Sequence, residues 1–155
     1  MHRSLVGGRR EIAGLIVGVA ARKAACLIWM LVLILLTCVW DISEFHQLPL
    51  EIEVSRNPTW EHFFTGYKLQ GDMLVRKAGH ILGFFVLQLL LYRVYGLISV
   101  SVSISAAFAA LTELAQPLFK RNGLFADIVV DSAGIIIAVV IILVWQKLKK
   151  YERGA

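Results

Sequence analysis

Charged residues are scarce in this chain of 155 residues, and they fall in short stretches between long apolar ones. They make up 17% of the sequence against 58% hydrophobic residues, and the mean hydropathy is +0.72. Soluble domains are closer to half apolar and a quarter charged. The scarcity of charge excludes an ordinary soluble globule, and the high hydrophobicity excludes a disordered chain. A small, single-domain, polytopic membrane protein remains, because four spans of about 20 residues would use roughly half of the chain.

Cysteine is nearly absent, and a basic soluble module is missing altogether. Cys26 and Cys38 are the only two cysteines. Twelve residues along one helix separate them by about 18 Å, which is too far for a disulfide and excludes a disulfide scaffold. The net charge is +5, but nucleic-acid binding would need a basic face on a soluble domain, and the sequence contains no such domain. This argues against nucleic acid as a partner.

Four mostly apolar stretches have the length of membrane helices, at about residues 24–40, 74–92, 97–119 and 126–145. The first is longer than a signal-peptide core and no small-residue cleavage site follows it, so we expect an uncleaved helix. The preceding stretch 12–20 is apolar but short, and either lies at the interface or extends the first helix. We therefore predict an all-α integral membrane fold, with a four-helix transmembrane domain over residues 24–145.

The distribution of basic residues predicts the orientation of this domain. Ten of the 16 Lys and Arg residues lie in the N-terminal segment 1–23, at Arg93 and in the tail 146–155. Acidic residues outnumber basic ones in the first loop, residues 41–73. By the positive-inside rule both termini are cytoplasmic and this loop is outside.

The outer loop carries the pattern of a short amphipathic helix. Asn57-Pro58 is typical of a helix N-cap followed by proline at the first helical position. Aromatic residues then follow at i, i+3, i+4 and i+7 spacing, namely Trp60, Phe63, Phe64 and Tyr67. We expect an interfacial helix that either caps the bundle or forms a lip over an outer-leaflet site.

Polar side chains inside the spans are predicted to gather at one depth. Each ionisable group in a membrane costs roughly 2.5–3.5 kcal/mol on insertion scales, so each needs a reason. The second and fourth spans enter from outside and the third leaves toward it, which places the polar residues of all three in the outer leaflet. The candidate residues are Lys77 and His80 of the second span, Glu113 and Gln116 of the third, Asp127 and Asp131 of the fourth, and Arg121 in the connection before it.

Helical spacing refines this cluster. The two candidate residues of each span lie three or four positions apart and share a face. Gly134 and Ala138 continue the stripe of Asp131 and would allow close helix approach. Pro117 cannot donate a hydrogen bond to the carbonyl of Glu113, so the third helix should kink or open there.

Other polar residues in the spans have a simpler interpretation. Serines alternate along the third span, which does not match the helical period, and we expect them to bond back to their own helix. They are Ser99, Ser101, Ser103 and Ser105. Gln88 is expected to bond between helices.

The ordered set of motifs resembles the VanZ-like family of bacterial membrane proteins. The matching features, across residues 74–145, are Arg76-Lys77-x-x-His80 with Phe84, Thr112-Glu113-x-x-Gln116, the basic loop at Lys120-Arg121, and Asp127-x-x-x-Asp131-x-x-Gly134. The resemblance implies membership of a group named for low-level resistance to the glycopeptide teicoplanin. The resemblance implies a location in the cytoplasmic membrane of a bacterium and a drug-resistance phenotype, but it implies no particular reaction.

A lipid-directed enzyme at the outer leaflet is one interpretation of the cluster. His80 would be the general acid or base, with Glu113 or Asp131 orienting it. Lys77 and Arg121 would neutralise a phosphate of a phospholipid or of a polyprenyl-linked cell-wall precursor. Gln116 and Asp127 complete the predicted substrate-binding set. No Ser or Cys nucleophile is evident beside these residues.

A binding or structural role without chemistry is the alternative. The same cations would hold an anionic headgroup, and the carboxylates would pair with them. Transport is disfavoured, because the inner halves of the helices are nearly all apolar. His80, Glu113, Asp127 and Asp131 would suit Mg, Mn or Zn, but ligands from three helices cannot be tested by spacing, so the sequence assigns no metal. Enzyme and binder stay open, as do the cofactor and the oligomeric state.

Overall fold

The computed structural model describes residues 2–39, 54–65 and 73–154, with side chains from residue 14 onward apart from Val39. The described residues contain four long helices. They are α1 (His2–Ile34, continued by a π-helical turn over Leu35–Val39), α2 (Met73–Tyr95), α3 (Ile98–Ala115, continued by a 3-10 turn over Gln116–Phe119) and α4 (Phe125–Gly154). All four are long and apolar enough to cross a membrane, and no strand occurs in the described residues. The predicted all-α fold with four spans is confirmed.

Helix α2 is the centre of the bundle, because α1, α3 and α4 all pack against it. Its buried Phe84, Leu87 and Leu91 meet Phe108 of α3 and Ile135 of α4. The outward faces remain apolar as well. Leucines and isoleucines there are about 60% exposed, a surface that suits lipid rather than water.

Helix α1 begins well before the predicted first span. The structure extends it to His2, so the stretch 12–20 continues the helix. Side chains from Gly14 to Ala25 are almost all exposed, and packing against the bundle begins at Cys26. The Arg22 guanidinium donates to the carbonyl of Arg93 (3.4 Å), which places Arg22 beside the end of α2. Residues before it therefore continue as a helix beyond the end of α2.

The opposite end of the bundle, called the loop end here, holds residues 54–65 and the connection 120–124. The loop residues are bonded to the helices beneath them: the amide of Ser55 donates to the carbonyl of Leu118 (2.8 Å), and the amide of Phe125 donates to that of Phe63 (2.8 Å). The indole N–H of Trp60 donates to the carbonyl of Leu114 (3.3 Å). Residues 54–65 therefore cover the ends of α3 and α4.

The predicted amphipathic helix is a turn in the part that the structure describes. Residues Glu61–Phe64 form this turn, and the amide of Phe63 donates to the carbonyl of Trp60 (3.0 Å). The carbonyl of Phe63, which a helix would use for an internal hydrogen bond, accepts the amide of Phe125 instead. The rings of Phe63 and Phe64 pack against each other and against Phe125, with centroids 5.1–6.3 Å apart. Tyr67 lies outside the described residues.

The end of α3 changes form at Pro117, as the missing N–H predicts. The α-helix stops at Ala115 and a 3-10 turn follows, after which Lys120 adopts a left-handed conformation (φ 55°) that reverses the chain. The carbonyl of Glu113 receives no hydrogen bond from Pro117, because proline has no backbone N–H. Gly123 packs against this carbonyl instead. A Cβ atom on Gly123 would lie 3.0 Å from the Glu113 carbonyl carbon and closer still to its oxygen.

A buried polar network joins α2 and α3 in the interior of the bundle, and it changes the interpretation of two of the serines. Gln88 of α2 donates to Ser101 Oγ (2.9 Å) and accepts from Ser105 Oγ (2.8 Å), and all three residues are buried. Ser101 also bonds back to its own helix at Ile98. The expectation that these serines serve only their own helix is wrong for Ser101 and Ser105, which face α2. The expectation of an interhelical Gln88 is confirmed.

Candidate functional site

Three helices bring His80, Glu113 and Asp131 together at the loop end. His80 Nδ1 lies 2.8 Å from Asp131 Oδ1, which links α2 to α4. One nitrogen of the imidazole and one oxygen of each carboxylate lie within 4.8 Å of one another. Both carboxylates are fully buried and the His80 side chain is 14% exposed. The residues that the sequence proposed as catalytic therefore form one compact group.

The Glu113 carboxylate is held at the start of α4. Its Oε1 accepts a hydrogen bond from Gln116 Nε2 (2.6 Å), and its Oε2 accepts one from the backbone N–H of Leu124 (3.0 Å). Leu124 immediately precedes α4, where unpaired N–H groups and the helix dipole favour negative charge. Gln116 thus holds Glu113 through its Nε2, and its role in substrate binding stays a prediction.

Asp131 has one oxygen without a hydrogen-bond partner. Oδ1 faces His80, whereas Oδ2 is buried and has no partner among the described residues. Buried carboxylate oxygens are normally hydrogen-bonded, because leaving one unsatisfied costs about 1–3 kcal/mol or more. The site therefore offers an acceptor oxygen in a buried position.

Lys77 and Asp127 form an ion pair next to this group, again between α2 and α4. Asp127 is also close enough to interact electrostatically with His80, Glu113 and Asp131. Lys77 lies about one helical turn before His80 on α2, and Asp127 lies about one turn before Asp131 on α4. The contacts Lys77–Asp127 and His80–Asp131 therefore follow each other along the α2–α4 interface. The ion pair reduces the cost of placing both charges within a membrane span.

A close approach of the two backbones follows these contacts along the same interface. A Cβ atom on Gly134 would lie 3.0 Å from the carbonyl carbon of Ile81 and from the amide nitrogen of Phe85, and closer still to the Ile81 oxygen. Only glycine fits at this distance. Ala138, the next small residue of the stripe, is fully buried. The predicted close approach along this stripe is confirmed.

Arg121 lies in the α3–α4 connection and is partly buried. Its backbone N–H donates to the Gln116 carbonyl (3.1 Å), which holds it in the turn that follows α3. Its role as a phosphate-binding cation stays a prediction.

Two contributors to the site were not anticipated. The first is the backbone N–H of Leu124. Only the position of Leu124 directly before α4 could have indicated that this group binds a carboxylate. Gly123 brings the connection against Glu113, and the Asn122-Gly123 pair signals a tight turn without naming its target. Hydrogen-bond partners supplied by the backbone leave no mark in the side-chain sequence.

Comparison with known proteins assigns the chain to a family. The profile of the VanZ/LLP1 family matches residues 23–146, which is 124 of the 155 residues. One curated relative, "Uncharacterized membrane protein YwnJ" of Bacillus subtilis (strain 168), is 41% identical over 64 residues. This alignment covers 41% of the chain and 46% of that protein, so less than half of the relative is spanned. No solved structure matches the chain. The chain is a membrane protein that belongs to the VanZ/LLP1 family.

Proposed function

We propose that this VanZ-like protein binds, and acts on, the phosphate-bearing headgroup of a lipid at its loop end. The lipid is a membrane phospholipid or a lipid-linked cell-wall precursor. The observation that carries the proposal is the convergence of His80, Glu113 and Asp131 from three membrane helices into one buried group. Burying three ionisable side chains at one depth is costly in a membrane, and such residues are functional by default.

The site belongs, in this proposal, to the outer leaflet of the bacterial cytoplasmic membrane. The positive-inside rule supports cytoplasmic termini, and Arg22 and Arg93 lie together at the end of the bundle away from the site. In this proposal residues 54–65 form an interfacial cover over the site. Trp60 is 46% exposed and Phe64 is 82% exposed, as aromatic anchors at a membrane surface would be.

Acid–base chemistry at His80 is the favoured mechanism. Asp131 holds Nδ1, fixing the ring so that Nε2 can take or give a proton. Glu113 lies on the other side of the group, held by two donors. Lys77, Arg121 and Asp127 line the approach and bind the headgroup, with the cations neutralising its phosphate.

Binding without chemistry, or a structural accessory role, is the second candidate. The ion pair of Lys77 with Asp127 favours it, because in this candidate the carboxylates pair with the cations and limit the cost of burying them. In this case the protein would change the access of a glycopeptide to its lipid-linked target. Tolerance to teicoplanin follows from either mechanism.

Glycopeptide susceptibility tests the proposal in a sensitive Gram-positive host. We would express the wild type, His80→Gln and Glu113→Gln, with membrane levels checked, and measure teicoplanin beside vancomycin. Two exposed residues supply matched controls, as His62→Gln and Glu152→Gln. We expect the wild type and both controls to raise the teicoplanin inhibitory concentration at least fourfold, and both site variants to lose the effect. No effect of the wild type, or full effect of both site variants, would contradict the proposal.

Purified protein separates the two mechanisms and the two lipid sources. Vesicles with phosphatidylglycerol or with a polyprenyl phosphate report which headgroup is bound. An enzyme loses turnover but keeps binding when His80 becomes Gln. A binder tolerates that change and fails when Lys77 or Arg121 becomes Gln.

A further inference from the structure

We propose that His80, Glu113 and Asp131 bind one divalent metal ion, which in turn binds the lipid phosphate. The second step rests on the proposed function, with His80 then serving as a ligand of the ion instead of as the acid or base. The metal site itself stands on the geometry of the three side chains. Mn²⁺ and Zn²⁺ are the candidate ions.

The three donor atoms have the spacing that one ion requires. Ligand atoms about 2.1 Å from a single ion lie no more than about 4.2 Å apart. The nitrogen and the two oxygens already lie within 4.8 Å of one another. Side-chain adjustments of about half an ångström complete the arrangement, and each ligand comes from a different helix, so a bound ion would fasten α2, α3 and α4 together.

The unpartnered oxygen of Asp131 points independently to a ligand. The residue is fully buried, and its Oδ2 has no hydrogen-bond partner among the described residues. The oxygen belongs to one of the three donor residues, and it is the carboxylate oxygen that His80 Nδ1 does not contact. A metal ion would satisfy it, either directly or through a bound water.

The charges of the site also favour a cation. Asp127 has Lys77 as its partner, but the contacts described for Glu113 come from the neutral side chain of Gln116 and the N–H of Leu124. Asp131 faces His80, which carries at most one positive charge against the two carboxylates of the donor set, so the set would not attract an anionic phosphate. A divalent ion neutralises both and presents free coordination positions to a phosphate oxygen, as metal ions do in phosphate-handling sites.

The donor types select the ion. An imidazole suits Zn²⁺ and other transition metals, whereas carboxylates suit Mn²⁺ and Mg²⁺. One imidazole with two carboxylates therefore favours Zn²⁺ or Mn²⁺. Three protein ligands leave positions open, which is the pattern of catalytic rather than structural sites.

Metal binding by the full-length protein in detergent tests the site directly. Protein stripped with a chelator is titrated with Mn²⁺, and free Mn²⁺ is followed by electron paramagnetic resonance. Bound Zn²⁺ is measured by elemental analysis after desalting. We expect about one ion per chain for the wild type, His62→Gln and Glu152→Gln, and at least tenfold weaker binding for Asp131→Asn and Glu113→Gln. Size-exclusion profiles identify variants that do not fold, and in that case the wild-type stoichiometry decides. A wild type that binds neither ion, or folded site variants that bind as the wild type does, would overturn the metal site.

A second arm distinguishes this inference from the proposed function. Binding to vesicles containing a phosphate lipid is measured with stripped and with reloaded wild type. Lipid binding that requires the ion supports both. Lipid binding that persists in stripped protein overturns the metal-bridged headgroup and leaves the proposed function standing. One bound ion without any lipid binding supports the metal site and removes the proposed function.

Discussion

Replacing Gly134 by alanine should disturb the site without touching any of its polar groups. Helices α2 and α4 meet so closely here that an added Cβ would lie 3.0 Å from the Ile81 carbonyl carbon and the Phe85 nitrogen. Both are backbone atoms, which cannot rotate away as the end of a side chain could. The two helices must therefore separate to admit the methyl group.

The size of the effect follows from these distances. Carbon atoms in favourable contact lie about 3.5–4.0 Å apart, so the helices would separate by roughly 1 Å. Overpacking of this kind costs about 1–3 kcal/mol, against about 0.5–1 kcal/mol gained by removing a glycine from a helix. The same shift would lengthen the bond of His80 to Asp131 from 2.8 Å to roughly 3.8 Å, beyond hydrogen-bond range.

Thermal unfolding in detergent, followed by tryptophan fluorescence, measures the change. Each kcal/mol corresponds to about 2–4 °C in a protein of this size, so we expect the midpoint to fall by several degrees. Gly79→Ala is the matched control, because Gly79 lies on α2 and a Cβ there meets nothing within 4 Å. Its midpoint should stay or rise. If Gly134→Ala is as stable as Gly79→Ala, the close approach of α2 and α4 is refuted.

Three further changes test other contacts of the fold. Ser105→Ala removes the donor to Gln88 and should destabilise the bundle by about 1 kcal/mol, as interhelical hydrogen bonds in membranes do; equal unfolding of Ser103→Ala, at an exposed position, would contradict this. Trp60→Phe keeps a ring but removes the N–H that bonds to α3, so limited proteolysis of residues 54–65 should become severalfold faster, and an unchanged rate would show that the bond does not hold the loop. Gly123→Ala should lower the unfolding midpoint as Gly134→Ala does, because its Cβ would meet the backbone of Glu113 in the last turn of α3; a stable variant would rule out this contact.

The four spans were predictable because length and hydropathy alone determine them. The depth of the polar residues was predictable as well, since alternating spans place Lys77, Glu113 and Asp131 at the same end. The i, i+4 spacing of Asp127 and Asp131 placed both on the face that meets α2. These features depend on the helical period, which the sequence displays directly.

The serines of α3 show how such a period can be hidden. A run with a serine at every second position has no helical period as a whole, but it contains two i, i+4 pairs on different faces. Ser101 and Ser105 form the pair that is buried against Gln88, whereas Ser99 and Ser103 are exposed. The pattern becomes readable only when the position of the neighbouring helix is known.

The loop end was the least predictable part of the fold, because its contacts are made by the backbone. The aromatic spacing of residues 60–67 favoured a helix, but the carbonyl of Phe63 accepts a hydrogen bond from the amide of Phe125. Adjacent aromatic residues also pack well in a turn, as Phe63 and Phe64 do against Phe125. Side-chain periodicity does not report where backbone donors find their acceptors.

The satisfaction of buried atoms distinguishes a functional cluster from one that only holds helices together. The Gln88 network meets the structural criterion, since its amide donates to one serine and accepts from another. Glu113 also has a donor for each of its oxygens. Asp131 differs, because its buried Oδ2 has no such donor in the part of the chain that the structure describes, although the residue lies at the close contact of α2 and α4. In a membrane, where little solvent can compensate for a missing bond, an unsatisfied carboxylate oxygen is costly, and the functional explanation expects a ligand at this oxygen. Asp131 is therefore the residue at which the structural and the functional explanations of the cluster make different predictions.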